Sequence, residues 1–257
     1  MGKELIMRDS VLVDGQWRTG NGLPFQNYCP ATGDVVWDSA SADKQDVEDA
    51  VESAQVAFAG WSRVPQNERT RILQAYASEL ETRSDQIAEA ISRDMGKALW
   101  ESRAEAATMV GKVAVSIKAQ NERAGTKDLD AAFGSMHLTH RPHGVMAVYG
   151  PFNFPGHLPN GHIVPALLAG NVCVFKPSEL APGVASIMAD AFDAAGLPPG
   201  VMNIVHGGRD TGAALLQSNI NGVLFTGSAN TGVFFHKHFA GRPEVILALE
   251  MGGNNPL

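Results

Sequence analysis

Apolar residues follow one rhythm in the first half of this chain and another from Val145 onward. Val11-Leu12-Val13 and Gln16-Trp17-Arg18 flank an Asp14-Gly15 turn, and Pro30-Ala31-Thr32-Gly33 separates Tyr28 from Val35-Val36-Trp37, so two hairpins open the chain. Helical spacing follows. Val47, Val51, Ala54 and Phe58 recur behind a candidate cap at Asp43, and Ile72, Leu73, Tyr76, Ala77 and Leu80 recur behind Asn67. Ile87 and Ile91 mark a third helix, and Val110, Val113, Ala114 and Ile117 a longer fourth that ends before Gly125.

The later rhythm consists of short apolar runs, each closed by glycine or proline and followed by a helical stretch. They are Val145 to Tyr149, Val172 to Lys176, Met202 to Val205, Val223 to Thr226 and Val245 to Leu249. This alternation predicts an α/β fold, a Rossmann-like parallel sheet of about five strands with flanking helices. The segment Phe133 to Arg141 alternates outside the rhythm and reads as an exposed hairpin strand. It is expected to form a projecting arm, residues 125–142, that pairs with something else.

A length of 257 residues with 44% hydrophobic positions suits one large or two modest domains with a substantial core. The net charge of -7 argues against a nucleic-acid partner, and any anionic ligand needs local backbone donors or a placed cation. Cys29 and Cys173 are too few and too far apart for a secreted disulfide framework. Met1 to Asp9 lack a signal peptide's apolar stretch, and no run is long enough for a spanning helix, so a cytoplasmic location is expected.

In a doubly wound sheet, ligands sit beyond the carboxyl ends of the strands. Asn153, then Lys176 and Glu179, then Gly207-Gly208, then Gly227-Ser228, and finally Glu250 all fall there. Gly227 to Gly232 reads either as a tight turn or as a phosphate cradle at a helix start; it lacks the GxGxxG spacing, and the missing Lys-Ser/Thr excludes a P-loop. Lys176 reads as a snorkelling surface lysine or a ligand group, and Glu179 as a solvated helix-start carboxylate or its partner. Asn153, between Phe152 and Phe154, is either a turn former or a donor whose amide would be costly to leave unpaired. Glu250 follows an apolar run, which predicts a half-buried carboxylate with a raised pKa, either capping a turn or acting as a base. Neither cysteine suits a nucleophile, and His137, His140, His143, His157 and His162 lack the neighbours of a metal site.

Taken in order, Gly150-Pro151-Phe152-Asn153-Phe154-Pro155, Phe175-Lys176-Pro177-Ser178-Glu179, Phe225-Thr226-Gly227-Ser228 and Leu249-Glu250-Met251-Gly252-Gly253 resemble the cofactor half of the NAD(P)-dependent aldehyde dehydrogenases. The resemblance covers nearly the whole chain. It implies that Lys176 and Glu179 hold the adenosine ribose, with Glu179 repelling a 2′-phosphate and so favouring NAD. Around the cofactor it also implies Ser178, Gly207, Gly212, Phe225, Thr226, Gly227, Ser228, Ala229, Asn230, Thr231 and Gly232.

In the same family Asn153 would donate to an oxyanion and Glu250 would activate a water. His157, Leu158 and Gly161 would line the aldehyde tunnel, Gly161 leaving room where an aromatic ring often narrows it. Such a tunnel implies a polar, carboxylate-bearing semialdehyde as substrate, and the arm implies a homo-oligomer. The family's nucleophilic cysteine lies beyond the glutamate, and this chain ends seven residues past Glu250, with Asn254-Asn255 where many members carry a lysine and a small residue. Residues 1–257 are therefore expected to be an NAD-binding domain that lacks the catalytic cysteine. The reading from a different class is a dinucleotide-binding module without chemistry.

Overall fold

The computed structural model describes residues 9–253. The N-terminal residues before Asp9 and the Asn254-Asn255-Pro256-Leu257 ending lie outside the described residues. Four strands open the fold: β1 (Val11–Val13), β2 (Gln16–Arg18), β3 (Pro24–Tyr28) and β4 (Val35–Ala40). Helices α1 (Lys44–Trp61), α2 (Gln66–Thr82), α3 (Ser84–Met95) and α4 (Leu99–Arg123) follow, then the hairpin β5 (Lys127–Ala131) and β6 (Gly134–Leu138). The alternating half comprises β7 (Val145–Tyr149), α5 (His157–Leu168), β8 (Val172–Lys176), α6 (Pro182–Ala194), β9 (Met202–Val205), α7 (Arg209–Gln217), β10 (Gly222–Gly227), α8 (Ala229–His238) and β11 (Ile246–Met251).

The five strands of that half pair in parallel in the order β11-β10-β7-β8-β9, and the opening hairpin extends the sheet as antiparallel β1 and β2 beyond β9. The expected parallel sheet is present, and the first hairpin proves to be part of it. Every residue of β7, β8 and β9 is buried, which is why these strands read as unbroken apolar runs rather than alternating ones. Helices α2 to α6 pack among themselves on one face, while α1 and α7 pack together on the other. After β9 the chain returns past β7 to form β10, so the strand order reverses beside β7 and leaves a crevice at the carboxyl ends there.

Local chemistry explains most boundaries. Asp43 caps α1 in a capping box: its carboxylate accepts from the Asp46 amide at 2.9 Å, and the Asp46 carboxylate accepts from the Asp43 amide at 3.1 Å. The buried Asp46 also accepts from the Asn21 amide at 2.7 Å and from Arg18 at 3.0 Å, tying the opening hairpins to the helical layer. Gly96 ends α3 in the left-handed conformation, φ 68°, which glycine adopts without strain.

Two expectations need correction. Helix α2 starts at Gln66 behind Pro65, not behind Asn67, because the proline sets the extended entry and no side chain caps the helix. The arm segment forms a hairpin of its own, Lys127–Ala131 pairing with Gly134–Leu138, with all strand residues exposed. Strand β11 runs to Met251, so Glu250 lies within it rather than after it, cross-strand from Thr226. No helix among the described residues is long and apolar enough to cross a membrane.

Candidate functional site

At the carboxyl ends of β7 and β8, between α7 and α8, lies a cavity of about 570 Å³. Its floor is Tyr149 and Lys176, the last residues of the two strands. The Tyr149 hydroxyl donates to the Gly212 carbonyl at 2.9 Å, which fixes α7 over the strand ends. A Cβ at Gly212 would lie 3.5 Å from the Lys176 methylenes and the Tyr149 ring, so the glycine keeps this part of the cavity open. Helix α7 contributes Arg209, Gly212, Ala213 and Leu216, with Gly208 just before it, and α8 contributes Asn230, Thr231, Phe234 and Phe235.

Lys176 is buried, with its ammonium 3.1 Å from the Pro177 carbonyl and 3.4 Å from the Glu179 carboxylate, which is half exposed at the cavity rim. The surface-lysine reading is thereby overturned. Burial holds this ammonium below the usual lysine pKa, against the pull of Glu179. A buried cation linked to a carboxylate at the rim offers a donor and an acceptor side by side, which suits a vicinal diol such as a ribose.

Of the residues named for the cofactor, Lys176, Glu179, Gly212, Asn230 and Thr231 line this cavity, and the others do not. Ser178 turns the chain by accepting from the Leu180 amide at 3.3 Å. Gly207 gives room to the Thr211 side chain, which reaches back to the Ala42 carbonyl at 2.7 Å. Phe225 packs edge-on against Phe235 with centroids 5.0 Å apart. Ser228 caps α8, accepting from the Thr231 amide at 3.2 Å, with Gly227 before it and Ala229 as the first helical residue. Gly232 admits the Met251 side chain from β11, closing α8 onto the sheet.

The second cluster stands at the ends of β7, β10 and β11. Asn153 lies in the loop between β7 and α5 and is exposed, as are Phe152 and Phe154. The flanking rings do not cover it, so an unpaired buried amide is not what this chain contains. Glu250 is also exposed rather than half buried, since among the described residues β11 pairs with β10 alone. Its carboxylate accepts from the Thr226 hydroxyl at 3.3 Å, and that hydroxyl lies 2.8 Å from His162 Nε2 on α5. Burial holds the His162 imidazole below its usual pKa, with Glu250 pulling the other way. A neutral ring can donate through Nε2 to Thr226, giving a continuous hydrogen-bonded line from His162 to Glu250.

On α5, His157, Leu158 and Gly161 are all partly exposed. His157 Nδ1 is buried without a hydrogen-bond partner, and burial holds this ring too below the usual imidazole pKa. The room at Gly161 is already occupied: a Cβ there would lie 3.1 Å from Cε of Lys112, which reaches across from α4. The start of α5 is held by Glu105 of α4, fully buried, which accepts from the Gly156 amide at 3.1 Å and the His157 amide at 3.2 Å and pairs with Lys97 at 2.9 Å.

Sequence reasoning missed Tyr149, Arg209, Phe234 and Phe235 in the cavity, and His162, Lys112 and Glu105 around α5. Phe234 and Phe235 had a signal, because Asn230 to Phe234 and Thr231 to Phe235 are four-residue steps along one helix face. Lys112 and Glu105 had none, since only the packing of α4 on α5 brings them to the site.

A profile of the aldehyde dehydrogenase family matches residues 17–257. The chain is 55% identical over 251 residues to N-succinylglutamate 5-semialdehyde dehydrogenase 2 of Caulobacter vibrioides, covering 98% of this chain and 52% of that protein. It is 56% identical over 248 residues to the N-succinylglutamate 5-semialdehyde dehydrogenase of Burkholderia cenocepacia, covering 96% and 51%. Among solved structures, an aldehyde dehydrogenase from Brucella melitensis biovar abortus superimposes with a TM-score of 0.92 at 27% identity over 100% of this chain and 54% of that one. A mutant indole-3-acetaldehyde dehydrogenase from P. syringae, solved in complex with NAD+ and IAA, gives 0.92 at 29% identity over 98% and 52%. The chain thus spans about half the length of the curated relatives it matches. With sequence and fold in agreement from the first hairpin to the last strand, the chain belongs to the aldehyde dehydrogenase family.

Proposed function

We propose that this chain is the cofactor-binding part of an NAD-dependent dehydrogenase that oxidises N-succinyl-L-glutamate 5-semialdehyde to N-succinyl-L-glutamate, a step of arginine breakdown. The observation that carries the reading is 55–56% identity to such enzymes over nearly the whole chain. The cavity between α7 and α8 supports it, since its glycine-opened floor and its Lys176-Glu179 pair fit an adenosine and its ribose. NAD, once bound, supplies the hydride acceptor. The chain's own residues hold the nucleotide, keep Asn153 as a donor at the end of β7, and keep the Glu250 carboxylate at the end of the line through Thr226 to His162, as a base for water.

The choice of NAD over NADP rests on the opposition of two charges in one wall. Glu179 would repel a 2′-phosphate, while Arg209 at the start of α7 would attract it. Both side chains are exposed, but Glu179 is held 3.4 Å from the Lys176 ammonium, at the place proposed for the ribose hydroxyls, whereas Arg209 has no such anchor at that place. NAD should therefore bind more tightly than NADP, and Glu179→Gln should narrow the gap by about five- to tenfold, on the order of 1 kcal/mol for a half-exposed charge. Calorimetric titration of both cofactors decides it, and an unchanged ratio would remove Glu179 from the ribose site.

A further inference from the structure

Lys112 has no carboxylate within ion-pairing distance among the described residues, although its side chain is laid down in a defined place. It leaves α4 and crosses α5 at Gly161, where a Cβ would sit 3.1 Å from its Cε and 3.6 Å from its Nζ. Glycine inside a helix costs about 1 kcal/mol relative to alanine, and here its effect is that nothing on α5 pushes the ammonium aside. One turn earlier on the same helix is His157, whose Nδ1 is buried and unpartnered. The neighbouring His162 is turned to Thr226. The positive field of Lys112 reaches both rings, and that of Glu250 reaches them with the opposite sign.

We propose that the Lys112 ammonium, with His157 beside it, forms a subsite for a carboxylate group of the semialdehyde substrate. The inference rests on the reading of α5 as the wall of the aldehyde passage and adds to it the group that selects an acidic substrate. Lys112 attracts the anionic part, and Glu250 repels it. An aldehyde carrying a remote carboxylate is thereby oriented with its uncharged carbonyl toward Asn153 and Glu250. A plain alkyl aldehyde gains nothing from Lys112 and leaves His157 without a partner.

The test uses this chain and the stable product-like probe N-succinyl-L-glutamate, titrated by calorimetry beside its uncharged triamide. Lys112→Met keeps the length and removes the charge; it should weaken the acid about tenfold, leave the triamide unaffected and leave NAD affinity within twofold. Lys112→Arg should retain affinity within threefold. Equal affinity of wild type and Lys112→Met for the acid overturns the subsite, as does wild type that binds NAD but not the acid. If wild type fails to bind NAD, it is the cofactor-half reading itself that falls, and that outcome is distinguishable from the other two.

Discussion

Mixed with NAD and a semialdehyde, this chain by itself is expected to form no NADH above the uncatalysed background. Aldehyde oxidation of this kind needs a thiolate at the reacting carbon, and neither cysteine can supply one. Cys173 is the second residue of β8, fully buried, three residues or about 10 Å short of the strand end at Lys176. Burial pushes its thiol up, so it stays protonated. Cys29 is excluded by place rather than acidity. A hydrogen bond with Thr32 holds its thiol below the usual value, but it lies in the turn between β3 and β4, outside the sheet whose strand ends carry Asn153 and Glu250. The check is the ultraviolet absorbance of NADH over time. Turnover that disappears in Cys29→Ser or Glu250→Gln would contradict the assignment.

Replacing Glu105 by alanine should lower stability by about 3–5 kcal/mol, the usual consequence of removing one member of a buried ion pair. The carboxylate is completely buried, pairs with a Lys97 ammonium that is itself only 14% exposed, and accepts from the amides of Gly156 and His157. Its loss strands a mostly buried cation and two helix-start donors together. The effect extends to the site, because Lys97 also lies 3.8 Å over the Phe154 ring and so pins the loop that carries Asn153. Glu105→Gln keeps the acceptor and should lose less. Urea unfolding of both variants measures the difference, and a loss under about 1 kcal/mol for alanine would mean that other contacts anchor α5.

The parts of the fold that were legible are those where burial is uniform. Residues of β7, β8 and β9 face helices on both sides, so their apolar runs gave the strands directly. At β11 the pattern is exposed at both ends, and no apolar signal marked Glu250 and Met251 as part of the strand. The exposure of Asn153 was illegible for a related reason. Neighbouring phenylalanines read as cover, yet Phe152 is 53% and Phe154 38% exposed. Motifs at strand ends located Lys176, Glu179, Gly212, Asn230 and Thr231, but the aromatic wall one helical turn further on required knowing which face α8 presents. Lys112 sits among the apolar residues Val110, Val113 and Ala114 and Glu105 between alanines on a long helix, with nothing in the sequence to single them out, and only the packing of α4 on α5 brings them beside Gly156, His157 and Gly161.

The most direct test of the account is a structure of this chain with NAD. The adenosine should occupy the cavity between α7 and α8, its ribose hydroxyls within hydrogen-bond reach of Lys176 and Glu179 and its base beside Phe234. No binding at millimolar NAD, or NAD bound elsewhere with that cavity left empty, would contradict it.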